Sequence, residues 1–279
     1  MIVAVTSGKG GTGKTLISTS LALSLEKPVL FIDADVEEPN AFLFLKPKIE
    51  KKEFIYLPKP IVDDTKCKGC GKCAEVCQYN AIAVVKGEVL IFHELCHSCG
   101  ACSIACPYQA IFEVDVEKGI IESGTVQHIK FWQGKLTVGE SSPTPLVKAL
   151  KKKIPKDEID TIIDTSPGTS CPVVEAVHGA DFALLVTEPT PFGLHDLDLA
   201  VRMCDELKVK KGVLINRAGE GDELIEEYCE KGDIPILDKI PLKKEIAESY
   251  SRGETLIEAF KEYKDKFQNL WEKIKKLVK

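Results

Sequence analysis

The sequence predicts an α/β fold: a mainly parallel sheet covered by helices on both faces, with a small α+β domain set into it. Three observations lead there. Short apolar runs alternate with amphipathic stretches, a glycine-rich loop joins the first run to the first stretch, and eight of the eleven cysteines crowd into one interval that breaks this rhythm. Strands that alternate with helices pair in parallel through crossover connections, which places helices on both faces of the sheet.

Taken in order, Ile2 to Ser7 is an apolar run feeding the loop Gly8-Lys9-Gly10-Gly11-Thr12-Gly13-Lys14-Thr15, and Leu16 to Leu25 carries apolar residues at helical spacing. Val29 to Ile32 reads as a second buried strand with Asp33 and Asp35 at its carboxyl end, where open α/β sheets place ligands. Thr161 to Ile163 before Asp164, Phe182 to Val186 and Gly212 to Ile215 read as further strands. Leu194 to Leu207, Glu223 to Glu230, Lys243 to Tyr250 and Leu256 to the C-terminus read as helices.

The 279 residues, 44% of them hydrophobic, suffice for a substantial core. A net charge of -6 argues against a nucleic-acid partner, which calls for clustered basic residues in excess. The first strand starts at Ile2, leaving no room for a signal peptide, and no apolar run approaches the roughly 18 residues of a membrane span. A cytoplasmic protein is expected. In such a reducing compartment the cysteines serve as metal ligands or catalytic groups rather than disulfides. Arginine occurs only at 202, 217 and 252 among many lysines, a bias reported for proteins of hot environments.

Cys67, Cys70, Cys73 and Cys77, then Cys96, Cys99, Cys102 and Cys106, repeat one spacing, C-x2-C-x2-C-x3-C, at an interval of 29 residues. The same shift superposes Tyr79 on Tyr108, Ala81 on Ala110 and Ile82 on Ile111. This pattern resembles the ferredoxins that carry two iron-sulfur clusters, in which the fourth cysteine of each run serves the other cluster. The resemblance implies one 4Fe-4S cluster on Cys67, Cys70, Cys73 and Cys106 and a second on Cys96, Cys99, Cys102 and Cys77. Zinc is the competing reading of C-x2-C pairs, and the duplicated triplet-plus-one spacing favours iron. Pro107 follows Cys106 as the ferredoxin pattern expects, whereas Gln78 follows Cys77. The expected organisation is an ATPase domain of residues 1–59 and 116–279 with a ferredoxin insert at 60–115. So small a domain has little core of its own and depends on metal-ligand bonds.

The glycine-rich loop is a phosphate-binding motif. Its glycines let backbone N-H groups of residues 8–15 face ATP phosphates at a helix N-terminus, with Lys14 reaching the β and γ phosphates and Thr15 holding Mg2+. The early Lys9 resembles the deviant loop of the MinD/ParA family of ATPases. That resemblance implies an ATP-sandwiched homodimer in which Lys9 crosses to the partner's nucleotide. Asp33 to Asn40 is similar to the family's first switch, with the position of Asp35 orienting the attacking water near Mg2+; solvated strand-end carboxylates are the alternative, more so for Asp33 than for Asp35. Asp164-Thr165-Ser166-Pro167-Gly168 is similar to the second switch, with Asp164 as the acidic partner of Mg2+. Asn216-Arg217 resembles the adenine-recognition position, a plain turn asparagine being the alternative.

Gly134 to Glu140 and Val186 to Asp196 extend the resemblance, most closely to MinD-type ATPases with an inserted ferredoxin domain. His195 reads as structural or as a switch contact. Cys204 and Cys229 read as buried apolar residues, and Cys171 as a packing residue, although its offset from Asp164 matches a cluster-ligating cysteine of the nitrogenase iron protein. The apolar stripe Phe260, Tyr263, Phe267, Leu270, Trp271, Ile274 and Leu277 reads as core rather than a membrane-touching helix. The function expected is an ATP-driven homodimer switch governing electron transfer or metal-cofactor handling on a partner metalloprotein or redox partner. An electron carrier with a docking ATPase domain, and a ParA-like positioning ATPase with structural clusters, are the alternatives.

Overall fold

The computed structural model describes residues 1–140, 142–155 and 159–279. They divide into two compact units. The first comprises Met1–Lys52, Ile121–Lys135 and Thr144–Lys279, the second Glu53–Ile120 and Leu136–Pro143.

The chain runs β1 (Ile2–Thr6), α1 (Lys14–Ser24), β2 (Val29–Asp33), α2 (Ala41–Leu45) and β3 (Lys48–Val62). It continues through α3 (Lys72–Glu75), β4 (Ile82–Val85), β5 (Glu88–Ile91), α4 (Ala101–Ala105), β6 (Ile111–Val126) and β7 (Ile129–Leu136). Then come α5 (Thr144–Lys151), β8 (Asp160–Asp164), α6 (Cys171–Val177), β9 (Phe182–Thr187), α7 (Pro191–Glu206) and β10 (Lys210–Ala218). The last elements are α8 (Asp222–Lys231), β11 (Ile236–Pro241), α9 (Lys244–Ser251), α10 (Leu256–Ala259) and α11 (Tyr263–Val278).

The main sheet of the first unit has the order β11-β10-β9-β1-β8-β2-β7, followed by β6 and β3. Every neighbour pair from β11 to β7 is parallel. Because β1, β2 and β8 are adjacent and in register, Asp33 stands opposite Asp164, and Asp164 opposite Val5. The phosphate loop, Asp35 and Asp164 are thereby gathered at one end of the sheet. One apolar layer, including Ile17, Phe31, Phe131 and Leu184, lies with α1 and α11; the other, including Leu185, Leu197, Val213 and Ile225, lies with α6, α7 and α8.

Sequence patterning misses several elements. β3 carries Pro58 and Pro60 and mostly exposed side chains, which disguise a strand; it ends the sheet order, where a missing N-H costs no ladder bond. The expected helix from Leu256 onward is two helices. A capping box between Thr255 and Glu258 starts α10, Phe260 is extended at φ -141°, and the chain turns before α11. Phe267, Leu270, Trp271 and Ile274 of α11 are buried in the first core layer.

The second unit holds the antiparallel pair β4 and β5 beside the short helices α3 and α4. Cys73, Ile82, Cys102 and Ile111 form its small buried cluster.

Candidate functional site

The loop between β1 and α1 is shaped by its glycines. Gly13 has φ +91°, and a β-carbon there would stand 2.3 Å from the Asn216 amide nitrogen. That close approach is used: Asn216 Nδ2 donates to Thr12 O at 2.8 Å, and Arg217 donates to Gly11 O at 3.0 Å. The loop is thus braced by β10, some 200 residues away in sequence. A cavity of about 410 Å3 opens beside it, lined by Gly10, Gly11, Gly13, Lys14, Thr15, Asp35, Asn216 and Arg217, and also by Leu242, Ile246 and Tyr250. Gly8 and Thr12 belong to the supporting backbone, and Thr12 is buried.

Lys14 is nearly buried among carboxylates. Burial lowers its pKa against the attraction of Asp164, Asp35 and Asp33. Burial pushes Asp164 up to about 6, opposed by Lys14 and by the hydroxyls of Thr15 and Ser18. Burial and the charge of Asp164 push Asp33 well above the usual carboxylate range. Asp33 accepts from the backbone N-H groups of Asp35 at 3.1 Å, Asn40 at 3.0 Å and Ala41 at 2.9 Å, so it shapes the loop that carries Asp35. Asp35 is also raised by burial, and Ser166 Oγ donates to its Oδ1 at 3.1 Å. Asp33 is taken up by backbone N-H groups, which leaves Asp35 and Asp164 around the single buried cation Lys14, and among the described residues Asp164 Oδ1 has no hydrogen-bond partner. This donor set suits a hard divalent cation such as Mg2+, which takes oxygen ligands.

Lys9 is engaged elsewhere. Its ammonium pairs with Glu188 Oε1, while Arg217 Nη1 reaches Glu188 Oε2 at 2.8 Å. Burial works against ionisation of Glu188, yet these two cations hold its carboxyl below the ordinary value. Sequence reasoning missed Glu188 and Ser166 as site residues. Both lie inside family-like motifs, but Lys9 is 179 residues from Glu188 and Asp35 is 131 from Ser166, beyond the reach of spacing, and Arg217 is itself 29 residues from Glu188. His195 is exposed on α7. Cys171 is exposed, whereas Cys204 and Cys229 are buried, their thiols pushed up to about 12 and about 11 by that burial.

In the second unit the eight remaining cysteines line two separate small cavities. Cys67, Cys70, Cys73 and Cys106 line one; Cys77, Cys96, Cys99 and Cys102 line the other. Backbone N-H groups face sulfur: Gly69 to Cys67 at 3.5 Å, Ala81 to Cys77 at 3.3 Å, Ser98 to Cys96 at 3.4 Å and Ala110 to Cys106 at 3.3 Å. Burial opposes ionisation of Cys106, but the N-H groups of Ala110, Tyr108, Ile111 and Gln109 bring its pKa below the usual thiol value. Among the described residues no three His, Cys, Asp or Glu side chains converge tightly enough to hold a single metal ion. The thiols instead surround a space. Soft thiolates around a cavity with inward N-H donors suit an iron-sulfur cluster.

The CobQ/CobB/MinD/ParA nucleotide binding domain family matches residues 3–257. The chain is 34% identical over 282 residues to an uncharacterised protein of Methanocaldococcus jannaschii, with 100% of this chain and 98% of that one covered. It is 26% identical over 303 residues to an iron-sulfur cluster carrier protein of Pyrococcus abyssi, covering 98% and 87% of the two chains. Among solved structures, the septum site-determining protein MinD of Pyrococcus horikoshii, complexed with Mg-ADP, matches with a TM-score of 0.63 at 20% identity, over 99% of this chain and 96% of that one. No helix among the described residues is long and apolar enough to cross a membrane.

Proposed function

Because the chain belongs to the CobQ/CobB/MinD/ParA nucleotide-binding family, and is an ATPase by that membership, we propose that it is an ATP-driven switch that controls electron transfer or iron-sulfur handling by a two-cluster ferredoxin insert. The observation that carries this reading is the presence, in one chain, of a phosphate-loop cavity and two cavities each lined by four cysteines. The similarity to an iron-sulfur cluster carrier supports the cluster half.

In this reading the loop N-H groups of residues 8–15 and Lys14 bind the ATP phosphates, and Thr15 and Asp164 hold Mg2+, which neutralises phosphate charge when bound. Asp35, kept in place by Ser166 and by the loop that Asp33 shapes, orients the attacking water. Asn216 and Arg217 fix the loop and border the space for the base. Lys9 acts across a homodimer, and to reach a partner's nucleotide it must first leave Glu188. The insert spans residues 60–115, inside the ATPase domain of 1–59 and 116–279; its cysteine quartets hold two 4Fe-4S clusters, which supply one-electron chemistry when bound. The recipient is a metalloprotein or redox partner.

The test is an anaerobic stopped-flow measurement of cluster oxidation by a one-electron dye, with ATP, with ADP and without nucleotide. ATP is expected to change the oxidation rate, and Lys9→Ala to abolish that dependence while lowering ATP turnover about 10^3-fold, the low end of what a transition-state cation contributes. Identical oxidation rates in all three nucleotide conditions would overturn the coupling.

A further inference from the structure

The two cysteine cavities are related by the 29-residue repeat, but their charged surroundings differ. Lys59, on β3, is only 2% exposed. Its ammonium donates to the carbonyl oxygens of His93 at 2.8 Å and Cys96 at 3.0 Å, and stands 3.8 Å from Glu140 Oε2. That same glutamate oxygen takes a 2.6 Å hydrogen bond from Lys118, also 2% exposed. Two buried ammonium groups therefore share one carboxylate. Lys118 takes the short contact, and Lys59 is held against the backbone of the Cys96 turn. The repeat carries position 59 onto position 88, which is Glu88, an exposed residue of opposite charge.

We propose that Lys59 is a positioning residue for the cavity of Cys77, Cys96, Cys99 and Cys102, and that it raises the reduction potential of the cluster held there above that of the cluster at Cys67, Cys70, Cys73 and Cys106. A fixed cation in a low-dielectric surrounding stabilises the added electron, and hydrogen bonds and charges beyond the ligands are known levers on cluster potential. Lys59 also ties down two carbonyl oxygens whose negative ends would oppose reduction. With Lys59 in place an electron arriving at the insert settles at this site before the other. The inference rests on the cluster reading above.

The experiment is a dithionite redox titration, followed by electron paramagnetic resonance, of the full-length protein reconstituted anaerobically with iron and sulfide. The wild type should show two one-electron waves at different potentials. Lys59→Met should move the higher wave to more negative potential and leave the lower one in place, and Lys59→Arg should restore it. Glu140→Gln, which removes counter-charge without touching the Cys96 turn, should move the same wave upward. If Lys59→Met fails to assemble that cluster, the Glu140→Gln arm still decides. Unchanged potentials at full iron and sulfide content, or both waves moving together, would overturn the proposal. A wild type that takes up no iron and sulfide would instead overturn the cluster reading itself.

Discussion

Asp164 combines full burial, an unpaired carboxylate oxygen and a pKa raised to about 6, so its protonation is coupled to folding. The ordinary value is 3.8. Between these two pH values the folded chain binds the proton that the unfolded chain has released, so stability falls as pH rises through that window. A rise from 3.8 to about 6 corresponds to at most about 3 kcal/mol. Without nucleotide, the stability of wild type relative to Asp164→Asn should decline between pH 4 and pH 6 in urea denaturation, and Mg-ATP should remove the decline. A flat difference would contradict the buried, unpaired state. The position of Asp164 at the carboxyl end of a buried strand was legible in the sequence. Glu188 was not, because what distinguishes it is a pair of cations brought from positions 9 and 217.

Among the elements, α11 shows how an amphipathic stripe acquires its meaning from what it faces. Its stripe fits a membrane surface or a core equally well as sequence, and its packing against α1 decides for the core. Trp271 is 1% exposed, and its indole N-H has no hydrogen-bond partner among the described residues. Trp271→Ala should therefore cost about 3–5 kcal/mol of stability through the cavity it leaves, and Trp271→Phe much less, since no hydrogen bond is lost. Chemical denaturation monitored by far-ultraviolet circular dichroism checks both, and equal losses would contradict this account. The break at Phe260 escaped sequence reasoning because helical periodicity continues through it. What ends α10 is the extended backbone of Phe260, which does not alter the apolar spacing.

For the molecule as a whole, the contrast in core size between the two units has a consequence. Among the described residues the second unit has a small buried cluster of Cys73, Ile82, Cys102 and Ile111, half of it cysteine, and so depends on its ligands for order. Removing iron under anaerobic chelation should raise hydrogen exchange throughout residues 60–115 and leave α1, β1 and β8 protected; uniform protection before and after would argue that the cysteines are not ligands. By itself the sequence determined the parallel α/β class, the phosphate loop and the two cysteine runs, because backbone curl, strand periodicity and ligand spacing are encoded in neighbouring residues. Only the tertiary structure decided that Glu188 holds Lys9, that Ser166 holds Asp35, and that Lys59 lies against the Cys96 turn. Those contacts join residues 37 to 179 positions apart. Such pairings depend on how the chain packs over long distances, and no local pattern carries that information.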